Sequence, residues 1–134
     1  MLASVATTRG GLPSTYVAPP PTRQELGAAG WLVLHKIAAM WEQEPSPAQQ
    51  EDMRTFWRLW GQYYPCPECA EHFRDMLETS PPVVTSNQAM GQWLCERHNE
   101  VNVRLGKPEF PCGALESRWG GCGCSEGTPA DPTA

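Results

Sequence analysis

Apolar residues recur at helical spacing through most of this chain. Trp31, Leu34, Ile37, Ala38 and Trp41 fall on one stripe and predict a first helix over about residues 24–41. The run Ser46-Pro47-Ala48-Gln49 starts a second. Ser46 supplies the cap, Pro47 takes the first helical position, and Gln49 can close a capping box. Its buried face should follow as Met53, Phe56, Trp57, Trp60 and Tyr64. A third helix starts at Pro67 and continues through Phe73, Met76 and Leu77 until Pro81-Pro82 stops it. Ser86 caps a fourth, which runs to Leu105 with Gly106 as terminator. A short fifth is expected between Cys112 and Trp119. Short connections between amphipathic helices predict an all-α fold, a four-helix bundle plus a short fifth helix.

The ends differ from the middle. Residues 1–22 are rich in Gly and Pro and poor in large apolar groups, and they read as a flexible leader. Residues 23–119 form the expected domain. Residues 120–134 read as a flexible tail that carries Cys122 and Cys124. At 134 residues the chain is long enough for one domain with a real core. Its net charge is −5 with no run of Lys or Arg, which argues against nucleic acid or an anionic membrane as partner. No stretch is apolar for long enough to be a transmembrane helix. The first residues lack the basic flank and long apolar centre of a secretory signal.

The cysteines carry the candidate chemistry. Six of them fall as Cys66/Cys69, Cys95/Cys112 and Cys122/Cys124, a pattern that suggests three disulfides in an oxidising compartment. Six cysteines permit about fifteen pairings, so spacing alone does not fix the connectivity. A Cys95–Cys112 bridge would act as a staple, worth roughly 3 kcal/mol in the chain-entropy model. In Cys66-Pro67-Glu68-Cys69, Pro67 suits the first helical position. Cys66 then falls at the cap and Cys69 in the first turn, where the positive end of the helix dipole favours a thiolate. Cys66, at the cap, is expected to be the more exposed sulfur.

Polar groups also intrude on inward faces. Leu94, Val101 and Leu105 share a face of the fourth helix, and His98 and Asn102 lie in the same stripe. Burying them unpaired would cost roughly 1–3 kcal/mol each. They can bond to each other or to nearby backbone. With Asn99 beside them and Lys107 past the helix end, they also fit the polar lining of a pocket for a ligand with ring edges and phosphates. Trp31 and His35 stack along the first helix at four-residue spacing. Six tryptophans are many for this length. Trp57 and Trp60 suit the core, whereas Trp31 and Trp119 suit a planar ligand equally well.

These residues together resemble the Erv/ALR-type FAD-linked sulfhydryl oxidases. The resemblance runs over about residues 24–119. It is carried by Gly27-Ala28-Ala29-Gly30-Trp31-Leu32-Val33-Leu34-His35, by Tyr64-Pro65-Cys66-Pro67-Glu68-Cys69-Ala70, and by Trp93-Leu94-Cys95 with His98-Asn99-Glu100-Val101-Asn102. Leu105-Gly106-Lys107-Pro108, Phe110, Cys112 and Arg118-Trp119 complete it. The resemblance implies a helical bundle that holds FAD non-covalently and pairs as a homodimer. It implies flavin contacts at Gly27, Trp31, His35, Cys69, Cys95, His98, Asn99, Val101, Asn102, Leu105, Lys107, Phe110, Arg118 and Trp119. Cys66–Cys69 would be the catalytic disulfide and Cys95–Cys112 the structural one, with no metal. Two departures stand out: Ala28 occupies a position that is often basic, and Cys122-Gly123-Cys124 replaces the usual ending. That tail resembles the branch of the endoplasmic reticulum, where such a pair shuttles electrons from client to active site.

The expected reaction is therefore a relay. Dithiols of a client protein or a disulfide isomerase-like carrier would reduce Cys122–Cys124, which would reduce Cys66–Cys69, then FAD, then O2 to hydrogen peroxide. The secretory pathway is the expected compartment, with the mitochondrial intermembrane space as alternative. Two other classes compete. A zinc-binding interaction module could use Cys66, Cys69, Cys122 and Cys124, with His72 or His98 as spares, although Cys-x-Cys is a less usual half-site. A disulfide-stapled helical adaptor would leave His98, Asn102 and Lys107 idle.

Overall fold

The computed structural model describes residue 15 and residues 17–120. The tail thiols Cys122 and Cys124, and most of the expected leader, lie outside the described residues. Four helices form the body: α1 (Arg23–Ala39), α2 (Pro47–Tyr63), α3 (Pro67–Thr79) and α4 (Asn87–Arg104). A 3-10 turn over Cys112–Ala114 leads into α5 (Leu115–Trp119). The all-α bundle with a short fifth helix is thus the observed fold. No helix among the described residues is long and apolar enough to cross a membrane.

Local chemistry sets most boundaries. At Ser46 the capping box is complete, with Gln49 N donating to Ser46 Oγ at 3.1 Å and Ser46 N donating to Gln49 Oε1 at 2.8 Å. Ser86 Oγ accepts from Ala89 N at 3.0 Å. The end of α4 is a Schellman closure: Lys107 N donates to Asn102 O at 2.8 Å and Gly106 N to Val103 O at 3.1 Å. Gly106 takes φ of 71°, which a side chain would resist. This closure turns the chain sharply, so the segment after it returns alongside α4.

Helix α1 packs mainly on α4, and α2 mainly on α3. Between the two pairs lies a core of Leu34, Ala38, Trp57, Phe73, Met76, Val84, Met90, Trp93 and Leu94. Trp57 is fully buried; its indole N–H donates to Met90 Sδ at 3.4 Å and its ring meets Trp93 edge-on at 5.0 Å. Full burial of a side chain of this size contributes roughly 2–3 kcal/mol.

Several expectations shift in detail. Helix α1 starts one residue earlier than expected, because Thr22 Oγ1 accepts from Glu25 N at 3.1 Å. It also ends before Trp41, whose indole donates instead to Val84 O at 3.0 Å in the loop before α4. Leu105, expected on the inward stripe, is 59 % exposed because it is the cap residue beyond the last turn of α4. On α2 Trp57 is fully buried, Met53, Phe56 and Trp60 are half-buried against the core, and Gly61 packs against α3. Trp60 also lines, with Tyr64, an open apolar groove of about 610 Å3 between α1 and α2, together with Leu26, Val33, Leu59 and Tyr63.

Candidate functional site

The cysteine motif is built by the α2–α3 connection. Tyr64 ends α2, and Cys66 N donates back to Tyr64 O at 2.9 Å in a tight turn. Cys66 is the extended N-cap of α3, with no side-chain hydrogen bond at the cap, and Pro67 follows at the first helical position. The positive end of α3 is therefore left to the sulfurs. Cys66 and Cys69 are joined in a disulfide with Cα atoms 5.3 Å apart. Exposure runs opposite to the sequence-based expectation: Cys66 is buried at 8 %, while Cys69 is half-buried. The turn over residues 64–66 folds the cap inward, a tertiary effect that the position of a residue on a helix does not encode. Glu68, between the two cysteines, pairs with Arg23 of α1 at 3.0 Å on the exposed side.

A second constellation lies between α1, α4 and α5. Trp31 and His98 stack with ring centres 4.1 Å apart and planes at 5°. His35 and Trp119 stack at 4.8 Å and 9°. The two stacks meet through a hydrogen bond between His35 Nε2 and His98 Nδ1 at 2.8 Å, one ring donating and the other accepting. Burial holds His35 down to about 3, with His98 and the Arg118 guanidinium adding to the effect. Burial, then Lys107, holds His98 down to about 4. Both rings are neutral at pH 7. Phe73 of α3 meets Trp31 edge-on at 6.4 Å and so connects this cluster to the helix that carries Cys69.

The segment after α4 is fixed by Asn99. Its Nδ2 donates to Phe110 O and its Oδ1 accepts from Phe110 N, both at 2.8 Å. Asn102 Nδ2 donates to Asn99 Oδ1 at 3.3 Å. Cys112 is tied to Cys95 by a disulfide with a Cα separation of 5.9 Å. The amide of Asn99 is thus committed to shaping the loop. The arrangement brings Trp31, His35, His98, Arg118 and Trp119 together, with Asn99, Asn102 and Phe110 on the same end of α4. Gly27 lies one turn before Trp31 with open space around it, Val101 packs on the core, and Leu105 points to solvent at the edge.

Chemically this is a site for flat rings and negative charge. Three buried side-chain nitrogens have no partner among the described residues, and two of them, Arg118 Nε and Trp119 Nε1, belong to the cluster. The Arg118 guanidinium also lies 4.0 Å above the Trp119 ring. The third, Arg97 Nε, is on the far side of a guanidinium bonded to Glu100 at 3.0 Å. Buried donors without acceptors fit an anionic or carbonyl-bearing ligand. Among the described residues, no three His, Cys, Asp or Glu side chains are grouped to hold a metal. No sequence pattern marks Lys36 and Arg23, which have partners 83 and 45 residues away.

A disulfide at a helix N-terminus, linked through Phe73 to a cluster of stacked indole and imidazole rings, defines a small helical bundle with a candidate redox site. Residues 28–120 match the Erv1/Alr family, and the chain belongs to it. The FAD-linked sulfhydryl oxidase ERV1 of Oryza sativa subsp. japonica is 45 % identical over 109 residues, covering 81 % of this chain and 56 % of the relative. The mitochondrial FAD-linked sulfhydryl oxidase ERV1 of Saccharomyces cerevisiae is 38 % identical over 100 residues, covering 75 % and 53 %. The chain therefore spans about half the length of these curated relatives. The crystal structure of the yeast Erv1 core superposes with a TM-score of 0.76 at 36 % identity, covering 85 % of this chain and 96 % of that one. The zinc-module alternative finds no support: the relatives are named FAD-linked oxidases, and Cys66 and Cys69 are bonded to each other.

Proposed function

We propose that this protein is an FAD-linked thiol oxidase that makes disulfides in protein dithiols. The observation that carries the reading is the pairing of the Cys66–Cys69 disulfide with a neutral ring cluster that contains two unpartnered buried donors. Trp31, His35, His98, Asn102, Lys107, Arg118 and Trp119 would hold FAD. When bound, FAD supplies a two-electron acceptor for a thiolate and returns the electrons to O2, giving hydrogen peroxide.

The chain's own part is thiol–disulfide exchange. A client thiolate attacks a sulfur of the Cys122–Cys124 pair, and its second thiol displaces the resulting mixed disulfide. The client is oxidised and the pair reduced. The reduced pair then opens Cys66–Cys69 by the same exchange. Cys66 receives the attack and Cys69 leaves as a thiolate, stabilised by the positive end of α3. Burial of Cys66 favours a slender donor over a folded client. Gly120, Gly121 and Gly123 around the tail thiols provide one. The groove between α1 and α2 is the surface for a homodimer. The two described disulfides and the spacing of the remaining cysteines point to an oxidising compartment, and the Cys-Gly-Cys tail favours the secretory pathway over the mitochondrial intermembrane space.

The test is an absorption spectrum of the purified protein followed by a dithiothreitol titration under limited oxygen. A band at about 450 nm that bleaches with thiol and returns with air is expected. Cys69→Ser should keep the band and lose the bleaching. A colourless protein would refute the reading.

A further inference from the structure

The ring cluster is closed on one side by α5, the weakest wall around it. Helices α1 and α4 are long and pack on each other, whereas α5 has five residues and no side-chain bond at its start. Besides the stack of Trp119 on His35, three attachments hold it among the described residues. Upstream, the Cys95–Cys112 disulfide ties the preceding turn to α4. Along its length, Leu115 lies against Gly91, where an added Cβ would be 3.8 Å from Leu115 Cδ1. At its far end, Lys36 Nζ donates to the backbone oxygen of Trp119 at 2.9 Å. That oxygen belongs to the last residue of α5, and it is the same residue whose ring stacks on His35.

We infer that Lys36 is a positioning residue for the ring site: its ammonium latches α5 shut over His35, with the Cys95–Cys112 disulfide as the fixed hinge. The door carries Trp119 and Arg118, so its closure brings a stacking face and two donors to the pocket together. An ammonium-to-carbonyl bond is charge-assisted and stronger than a neutral one. Lys36 is also in the last turn of α1, where a cation is favoured by that helix's own dipole. The side chain therefore serves two helix ends at once. The inference rests on the flavin reading above, since what the door retains is FAD.

The experiment measures FAD release from the purified holoprotein, followed by the rise of free-flavin fluorescence after dilution. Lys36→Met keeps the aliphatic stem and removes the donor; Lys36→Arg keeps a donor. Lys36→Met should release FAD about 10-fold faster, with Lys36→Arg close to wild type. In the apo-protein, hydrogen exchange at the Gly120 amide, which donates to Glu116 O within α5, should quicken in Lys36→Met, while the melting temperature stays near that of wild type. Equal release rates in Lys36→Met and wild type would overturn the latch, as would a fall in apo-protein melting temperature that accounts for the faster release. A wild-type protein that binds no FAD would overturn the flavin reading, and the latch with it.

Discussion

Where α2 meets α3, the contact runs through Gly61, and a side chain there would meet Arg74 Cγ at 3.2 Å and the Leu77 and Phe73 side chains at 3.3 Å. Alanine is better than glycine in a helix by about 1 kcal/mol. Overpacking a tight helix contact costs about 1–3 kcal/mol. The second effect wins, so Gly61→Ala should destabilise by about 1 kcal/mol in urea denaturation. The buried histidines make stability depend on pH. His35 and His98 titrate near 6.5 in the unfolded chain and near about 3 and about 4 in the folded one. The unfolded chain therefore binds more protons between those values. Arg118 faces His35 and Lys107 faces His98, both opposing protonation. Their contribution to stability is complete above about pH 6.5 and is lost as pH falls toward 4, by up to about 1.4 kcal/mol per pH unit for each ring. Denaturation of apo-protein between pH 5 and 7 should show this slope, and His98→Gln should roughly halve it.

Legibility in the sequence differed by element. Ser46, Ser86 and Gly106 were readable because a cap acts within four residues of itself, and all three mark the ends where they were expected. The inward polar residues of α4 were readable as a pattern, yet their partners were not. His98 finds His35 across 63 residues, and Asn99 finds Phe110 only because the Gly106 turn brings the chain back. The burial of Cys66 is hidden from the sequence for a related reason. Its burial depends on how α2 and α3 are joined, while its thiolate-favouring position depends only on α3. The Lys36 latch joins the ends of two helices, and no periodicity in either records it.

Among the described residues, the groove between α1 and α2 is an apolar surface open to solvent. Val33 is 51 % exposed, Leu59 39 % and Tyr63 72 %. Contiguous apolar exposure of this kind marks an interface. If this groove seats the proposed dimer, the wild type should sediment as a dimer and Leu59→Asp as a folded monomer, with the ring site on the opposite side of α1 left intact. The pairing of helices has its own consequence. The chain closes like brackets within brackets: α2 meets α3 across three residues, whereas α1 meets α4 only after everything between has been placed. Local contacts form ahead of distant ones because less chain must be gathered to make them. A newly made chain thus assembles its inner hairpin first and brings Trp31 and His35 to His98 last. Cys66 and Cys69 are therefore held in register before the ring cluster is assembled.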